Sequence, residues 1–253
     1  RAAPRHAHRA VRRGELDERG ADLVAHRGHP VLVDGARDEI HLHAPDRERG
    51  GARDSAVVIA ACRAIGAGEI LHGIGEVGIG IEQAERDRLR AALGVGPDHL
   101  LVGTVSCLKP QKSPEDFIRV AALVCQRMPA AKCALVGDGA LRPQIEAMIQ
   151  AQGLQDRVSL LGWRRDVASL LKAFDVFVLT SQWEGLPCAI LEARASRIPI
   201  VATRVGGSAE AIIEGIQGTL CPAGDVRAIA GRVCQILGDE RLRADLRNGT
   251  QEL

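Results

Sequence analysis

Three observations predict an α/β chain whose main body is a Rossmann-like parallel sheet with helices on both faces. From Leu100 onward, short aliphatic and β-branched runs alternate with helix-length amphipathic stretches, the spacing of right-handed βαβ crossovers. The runs are apolar throughout rather than alternating, as strands buried on both faces require. Polar or glycine-bearing loops follow several of these runs, at the carboxyl ends where such sheets bind ligands.

Composition locates this body within the chain. The 253 residues suffice for one large domain or two small ones. All the aromatic residues (Phe117, Trp163, Phe174, Phe177, Trp183) and all four lysines (Lys109, Lys112, Lys132, Lys172) follow Leu100, and the shift marks a boundary near Gly94 to Pro97. Residues 96–253 are therefore expected to form the ligand-binding domain. Residues 1–95 are expected to be a truncated or degenerate first part, with 1–53 peripheral or disordered. A formal charge of +1 gives the chain no pull toward nucleic acid.

The seven cysteines are odd in number and include no Cys-x-x-Cys pair, so neither a zinc knuckle nor a disulfide framework is indicated. A cytoplasmic location is the default expectation. No apolar run approaches the ~20 residues of a membrane helix, and the start lacks a signal-peptide core. Beginning at Arg1 rather than methionine, the sequence reads as a fragment or a processed form.

Taken in order, residues 1–53 are rich in Arg, His, Asp, Gly and Ala, with short apolar patches such as 31–33. The pairs His6/His8 and His41/His43 would share one side of a strand, and with His26 and His29 they invite a metal site. No carboxylate or cysteine stands beside them at ligand spacing, so no metal is expected. Residues 55–65 read as a buried strand entering a helix, and 73–82 as a glycine-rich turn and strand. Beyond them the predicted strands are 101–105, 133–136, 158–161, 176–179 and 198–202. Predicted helices are 114–127, 141–152, 165–173 and 187–195, with 225–237 and 240–247 closing the chain.

The stretch from Asp175 to Gly207 carries the densest chemistry. Pro187 is expected at the first helical position, where its missing N–H has no intrahelical use. Gly185, Leu186 and Cys188 are then expected to present the free N–H groups of a helix start, suited to a phosphate. Glu184 and Glu192 flank them, separated along the helix axis by roughly 7 to 8 Å. Isolated glutamates at this spacing read as a solvated pair; the residues around them say otherwise.

EGLPCAILE, with seven residues between its glutamates, followed by VATRVGG, resembles the retaining GT-B glycosyltransferases of the family-four type. The likeness covers 100–253 strongly and 55–94 faintly, where Cys62-Arg63 stands for Ser-Arg and Ile79-Gly80-Ile81-Glu82 for Asn-Gly-Ile-Asp. It implies transfer of a sugar, with retention, from a nucleoside-diphosphate sugar to an acceptor hydroxyl, in polysaccharide or glycolipid synthesis. Glu184 would be the catalytic residue on the donor-sugar hydroxyls, and Glu192 would hold the ribose. Lys112 would hold the diphosphate. No cofactor or metal is implied, because the lysine and helix N–H groups meet the leaving charge. The acceptor would be a sugar or lipid-linked molecule, with peripheral membrane association.

The remaining loops fit with departures. Ser106-Cys107 replaces the family's Gly-Arg and Ser113 a glycine, while Lys109 stands near enough to supply charge; a solvated lysine loop is the alternative. Gly137-Asp138-Gly139 is expected to make a tight turn beside the donor, Arg142 falling where a dinucleotide fingerprint needs its third glycine. The bend at 162–166 would carry the nucleobase, with Trp163 or Arg164 stacking or flanking; alternatively Trp163 covers the sheet edge. Gly206 and Gly207 permit φ > 0 and close approach, and Ser208 can cap a helix through 213. Arg194 replaces the usual Met and Arg197 the usual Gly, forfeiting a left-handed glycine cap. Two other readings are a nucleotide-sugar-binding fragment without transferase activity and a GT-B-like epimerase, for which no carboxylate and histidine set is found.

Overall fold

The computed structural model describes residues 22–26, 29–33 and 83–249. The stretches expected at 55–65 and 73–82, and the pairs His6/His8 and His41/His43, lie outside the described residues. The chain divides into two compact units, Arg1–Gly51 and Ala52–Leu253. In the first, β1 (Asp22–His26) and β2 (His29–Val33) form an antiparallel pair with Asp22 opposite Val33 and His26 opposite His29.

The second unit is built on six parallel strands: β3 (Leu100–Val105), β4 (Ala131–Val136), β5 (Val158–Gly162), β6 (Val176–Leu179), β7 (Ile200–Thr203) and β8 (Gly218–Cys221). Their order is β5-β4-β3-β6-β7-β8. All five predicted strands match within two residues at each end; β8 was not foreseen. Numbered from its own first strand the sheet runs 3-2-1-4-5-6, the doubly wound order whose direction reverses between its first and fourth strands. That reversal lies between β3 and β6, which pair directly through Val102–Val176 and Gly103–Phe177.

The two faces follow from strand alternation. Val102, Leu135, Val176, Val178 and Val201 lie on one face with α2 (Pro114–Arg127), α3 (Arg142–Ala151) and α7 (Val226–Gly238). Leu101, Ala134, Phe177, Leu179 and Ile200 lie on the other with α4 (Val167–Ala173) and α5 (Cys188–Ala195). Phe117, Phe174 and Phe177 are wholly buried. The short α6 (Ser208–Ala211) and α8 (Glu240–Gly249) also belong to this unit.

A further helix, α1 (Gln83–Ala92), lies upstream of the composition shift yet belongs to the sheet body. Asp175, one residue before β6, holds it there. Its carboxylate accepts from Arg90 at 2.9 Å, from Arg86 at 2.7 Å and from the Leu101 N–H at 2.8 Å. Burial pushes this carboxyl up, but the Leu101 N–H and the Arg90 and Arg86 charges outweigh it and hold the group below the usual carboxylate range.

Candidate active site

Over the crevice between β3 and β6, two loops are knitted together. The loop after β3 ends in a 3-10 turn, Pro110–Lys112, and the loop after β6 runs from Thr180 to Pro187. Thr180 donates from Oγ1 to the Lys112 and Ser113 carbonyls at 3.1 and 2.9 Å. The Gln182 N–H donates to the Gln111 carbonyl at 2.8 Å, and Gln111 Nε2 returns a bond to the Trp183 carbonyl at 3.0 Å. These bonds bring together residues that lie about seventy apart in sequence.

At the centre Lys112 Nζ reaches both carboxylate oxygens of Glu184, at 2.8 and 3.0 Å. The Glu184 side chain is 3% exposed and that of Lys112 21%. Ser181 donates to the same carboxylate from Oγ, and Thr203 at the end of β7 donates to the Ser181 carbonyl at 2.6 Å. A lysine ammonium has three donors, so two on Glu184 leave one.

The glycine pair after β7 buttresses this loop from behind. A Cβ on Gly206, at φ +41°, would stand 1.9 Å from the Glu184 carbonyl oxygen, and one on Gly207 equally close to that of Gly185. Only Gly206 takes the expected positive φ; Gly207 has φ −62° and is needed for its close approach alone. Ser208 does not cap α6, because it is already the helix's first residue and its buried Oγ has no partner among the described residues.

The start of α5 differs from expectation. Pro187 lies just before the helix, at φ −79° and ψ 79°, the conformation of an inverse γ-turn. The turn closes with the Cys188 N–H on the Leu186 carbonyl at 3.0 Å. Cys188 thus does not present a free N–H, as its place in the motif had suggested. The N–H groups of Gly185, Leu186 and Ala189 donate to no group among the described residues. Two of the three expected donors stand, and Ala189 takes the place of the third.

Glu192, one turn into α5, is half-buried, and its carboxylate accepts no hydrogen bond among the described residues. Burial alone pushes its carboxyl above the usual range.

The other predicted residues lie in the loops after β4 and β5. Gly137, at φ +128°, leads the loop after β4; a Cβ there would stand 2.0 Å from the Ser106 carbonyl oxygen, so only glycine fits. Its N–H donates to the Gly162 carbonyl at 2.9 Å, tying the loops after β4 and β5. Arg164 is exposed and paired with Asp166 in a two-point contact of 2.8 and 2.6 Å. Trp163 is 71% exposed, so it does not serve as a cover for the sheet edge. Thr180, Ser181 and Gln111 were missed by sequence reasoning. The signal of Thr180 and Ser181 was a pair of hydroxyls placed directly after a buried strand; Gln111 carried none.

The family profile described as Glycosyl transferases group 1 matches residues 85–253. The chain belongs to this family. Among its group 1 relatives, UDP-Gal:alpha-D-GlcNAc-diphosphoundecaprenol alpha-1,3-galactosyltransferase of Escherichia coli is 32% identical over 159 residues, 62% of this chain and 41% of that protein. N-acetyl-alpha-D-glucosaminyl L-malate synthase of Bacillus anthracis is 32% identical over 165 residues, 65% and 43% of the two chains. This chain thus spans less than half the length of these curated relatives. Anabaena HepE in complex with UDP superposes with a TM-score of 0.64 at 29% identity, covering 70% of this chain and 49% of that one. The C-terminal domain of the group 1 protein LpcC from Francisella tularensis, at 22% identity, TM-score 0.63 and coverage of 70% and 94%, shares the fold. The sheet body is the Rossmann-like half of a GT-B fold.

Proposed function

We propose that the crevice over β3 and β6 binds a nucleoside-diphosphate sugar, and that the chain is the donor-binding part of a retaining glycosyltransferase. The Lys112–Glu184 pair carries this reading. It sits at the reversal of strand order beside three N–H groups that make no hydrogen bond among the described residues, where an anion is favoured by charge and by the helix start. The loops after β5, β4, β3 and β6 lie in spatial sequence along one sheet edge, and at about 4.8 Å per strand they span roughly 14 Å. Base, diphosphate and sugar would occupy that edge in this order.

Transfer breaks the bond between the anomeric carbon and a diphosphate oxygen. The charge that develops on the diphosphate is met by the third donor of Lys112 and by the Gly185 and Leu186 N–H groups, which are fixed before reaction. Glu184 orients the lysine and offers its carboxylate to hydroxyls of the donor sugar. Glu192 accepts from the ribose. The UDP present in the HepE structures supports this reading. The oxygen of the incoming sugar or lipid-linked hydroxyl forms the new bond to the anomeric carbon on the face from which the diphosphate departs, and its proton passes to the departing diphosphate oxygen.

Calorimetric titration with UDP, GDP and ADP tests the proposal. Saturable binding of at least one is expected, weakened about tenfold or more by K112A. Alkylation of Cys188, exposed beside the cradle, is expected to slow when that nucleotide is bound. Absence of binding by all three would sink the proposal.

A further inference from the structure

Trp183 is used by nothing described so far. It directly precedes Glu184, and it is 59% exposed although it is one of only two tryptophans in the chain. Exposed loop residues are ordinarily loosely held, but the backbone of this one is fixed on both sides. Gln111 Nε2 holds its carbonyl at 3.0 Å, the preceding Gln182 is bound through both its N–H and its Nε2, to Gln111 and Asp116, and the following Glu184 is buried in its ion pair. The indole itself makes no hydrogen bond among the described residues.

A rigid backbone with an unpartnered ring is the arrangement of a binding platform, because a stacking partner then finds the ring already ordered and little entropy is lost on contact. From these observations we infer that Trp183 is a stacking platform for the pyranose ring presented to Glu184. A pyranose has a face of C–H groups and a rim of hydroxyls. The indole offers an apolar surface for the first, and the adjacent carboxylate an acceptor for the second. This assignment rests on the donor-site reading and adds to it a residue that selects for sugar. The ring stacked there is either that of the donor or that of the acceptor, and the two sources separate by experiment.

W163F leaves Trp183 as the single tryptophan or tyrosine fluorophore of the 253-residue chain. The variant is titrated first with UDP, GDP and ADP, then with UDP-glucose, GDP-mannose and ADP-glucose, and finally with free glucose, galactose and mannose in the presence of the bound nucleotide. A saturable change in Trp183 emission with the nucleotide sugar and none with the matching nucleotide identifies the donor ring. A change only on adding free sugar to the nucleotide complex identifies the acceptor ring. In parallel, W183A is expected to lose roughly three- to tenfold in affinity for the responding sugar ligand while nucleotide affinity changes less than about twofold. W183F restores most of the loss and W183L does not, a distinction that mere filling of space would not make. If nucleotide binds by calorimetry but Trp183 emission responds to no sugar-bearing ligand, the platform is wrong while the donor site stands. If W183A weakens nucleotide and nucleotide sugar equally, Trp183 serves the loop and not the sugar, and the inference fails.

Discussion

Glu184 and Glu192 stand eight residues apart in one loop-helix segment and occupy opposite environments. Glu184 is buried with Lys112 on both its oxygens and Ser181 on one of them. The Glu192 carboxylate is half-buried with no partner among the described residues, and burial raises its pKa. A buried carboxylate that already takes three hydrogen bonds is architecture as much as chemistry, because removing it strands a lysine, and it keeps one acceptor position for a further donor. A carboxylate left without donors is a group whose partners arrive from elsewhere. Sequence spacing makes the two look equivalent, whereas their surroundings differ: Lys112 and Ser181 hold the first carboxylate, and the second has no partner among the described residues.

The largest effect expected from this contrast is on stability. E184A leaves Lys112 facing the crevice unpaired and releases Ser181, and breaking a buried pair costs about 3 to 5 kcal/mol. Lys112 is 21% exposed, so water recovers part of this and a loss of about 2 to 3 kcal/mol is expected. E192A removes no protein hydrogen bond and is expected to change stability by less than about 0.5 kcal/mol. Urea unfolding with an unchanged m-value measures both. Equal losses would erase the distinction.

Binding should reverse the ranking. On the donor-site proposal Glu192 accepts from the ribose, so E192Q is expected to weaken the nucleotide about tenfold without loss of stability. The contrast also has a pH signature. The folded pKa of Glu192 lies above its unfolded value, so its contribution to stability is present below about pH 4.5 and is lost as pH rises through the folded pKa. If Glu192 holds the ribose as proposed, nucleotide binding draws on the ionised form and is expected to strengthen over that same window. A pH titration of affinity should show this rise in the native chain and a flat response in E192Q. Asp175 has the opposite sign: its folded pKa is depressed, so its contribution is present above about pH 3.9 and is lost as pH falls through the folded value. D175N should flatten the acid limb of the stability profile and leave the binding profile unchanged.

Much of the sheet body was legible because its signals are local. Val176–Leu179 and Pro114–Arg127 were read to the residue, the first as a short run of large apolar groups and the second as a proline-started amphipathic repeat. Strand β8, with the sequence GTLC, was not read, because a glycine and a threonine in four residues give no apolar run. Helix α1 is strongly polar, and it is held by arginines on a carboxylate 85 residues away, an interaction with no local signature. The inverse γ-turn at Pro187 was missed for a related reason: proline's fixed φ suits both the first helical position and this turn, and only ψ separates them. Among the candidate-site residues, Glu184 and Lys112 were named from the family likeness and Gly185 and Leu186 from the expected helix start, but the Lys112–Glu184 contact belongs to the sheet order, which no spacing encodes.

Two departures from the family pattern allow a finer comparison, with the smallest effects. Ser113 and Arg197 stand where the likeness suggests glycine, and among the described residues they are the two non-glycine positions with positive φ, at +45° and +55°. A side chain in the left-handed region costs roughly 1 to 2 kcal/mol relative to glycine, part of which is returned by glycine's greater freedom when unfolded. Arg197 is exposed and makes no side-chain hydrogen bond among the described residues, so R197G is expected to stabilise the chain by about 0.5 to 1 kcal/mol. It ends the helix that carries Glu192, yet lies away from the helix start, and nucleotide affinity should stay within about twofold. Ser113 differs in one respect: its hydroxyl donates to the buried Asp116 at 2.8 Å. S113G relieves the same backbone strain but removes a hydrogen bond to a charged group that contributes about as much, and the two should nearly cancel. Thermal unfolding of the two variants side by side tests the pairing. A gain for S113G as large as that for R197G would show that the Ser113–Asp116 bond contributes nothing, and that the loop bearing Lys112 is less firmly set than its hydrogen bonds imply.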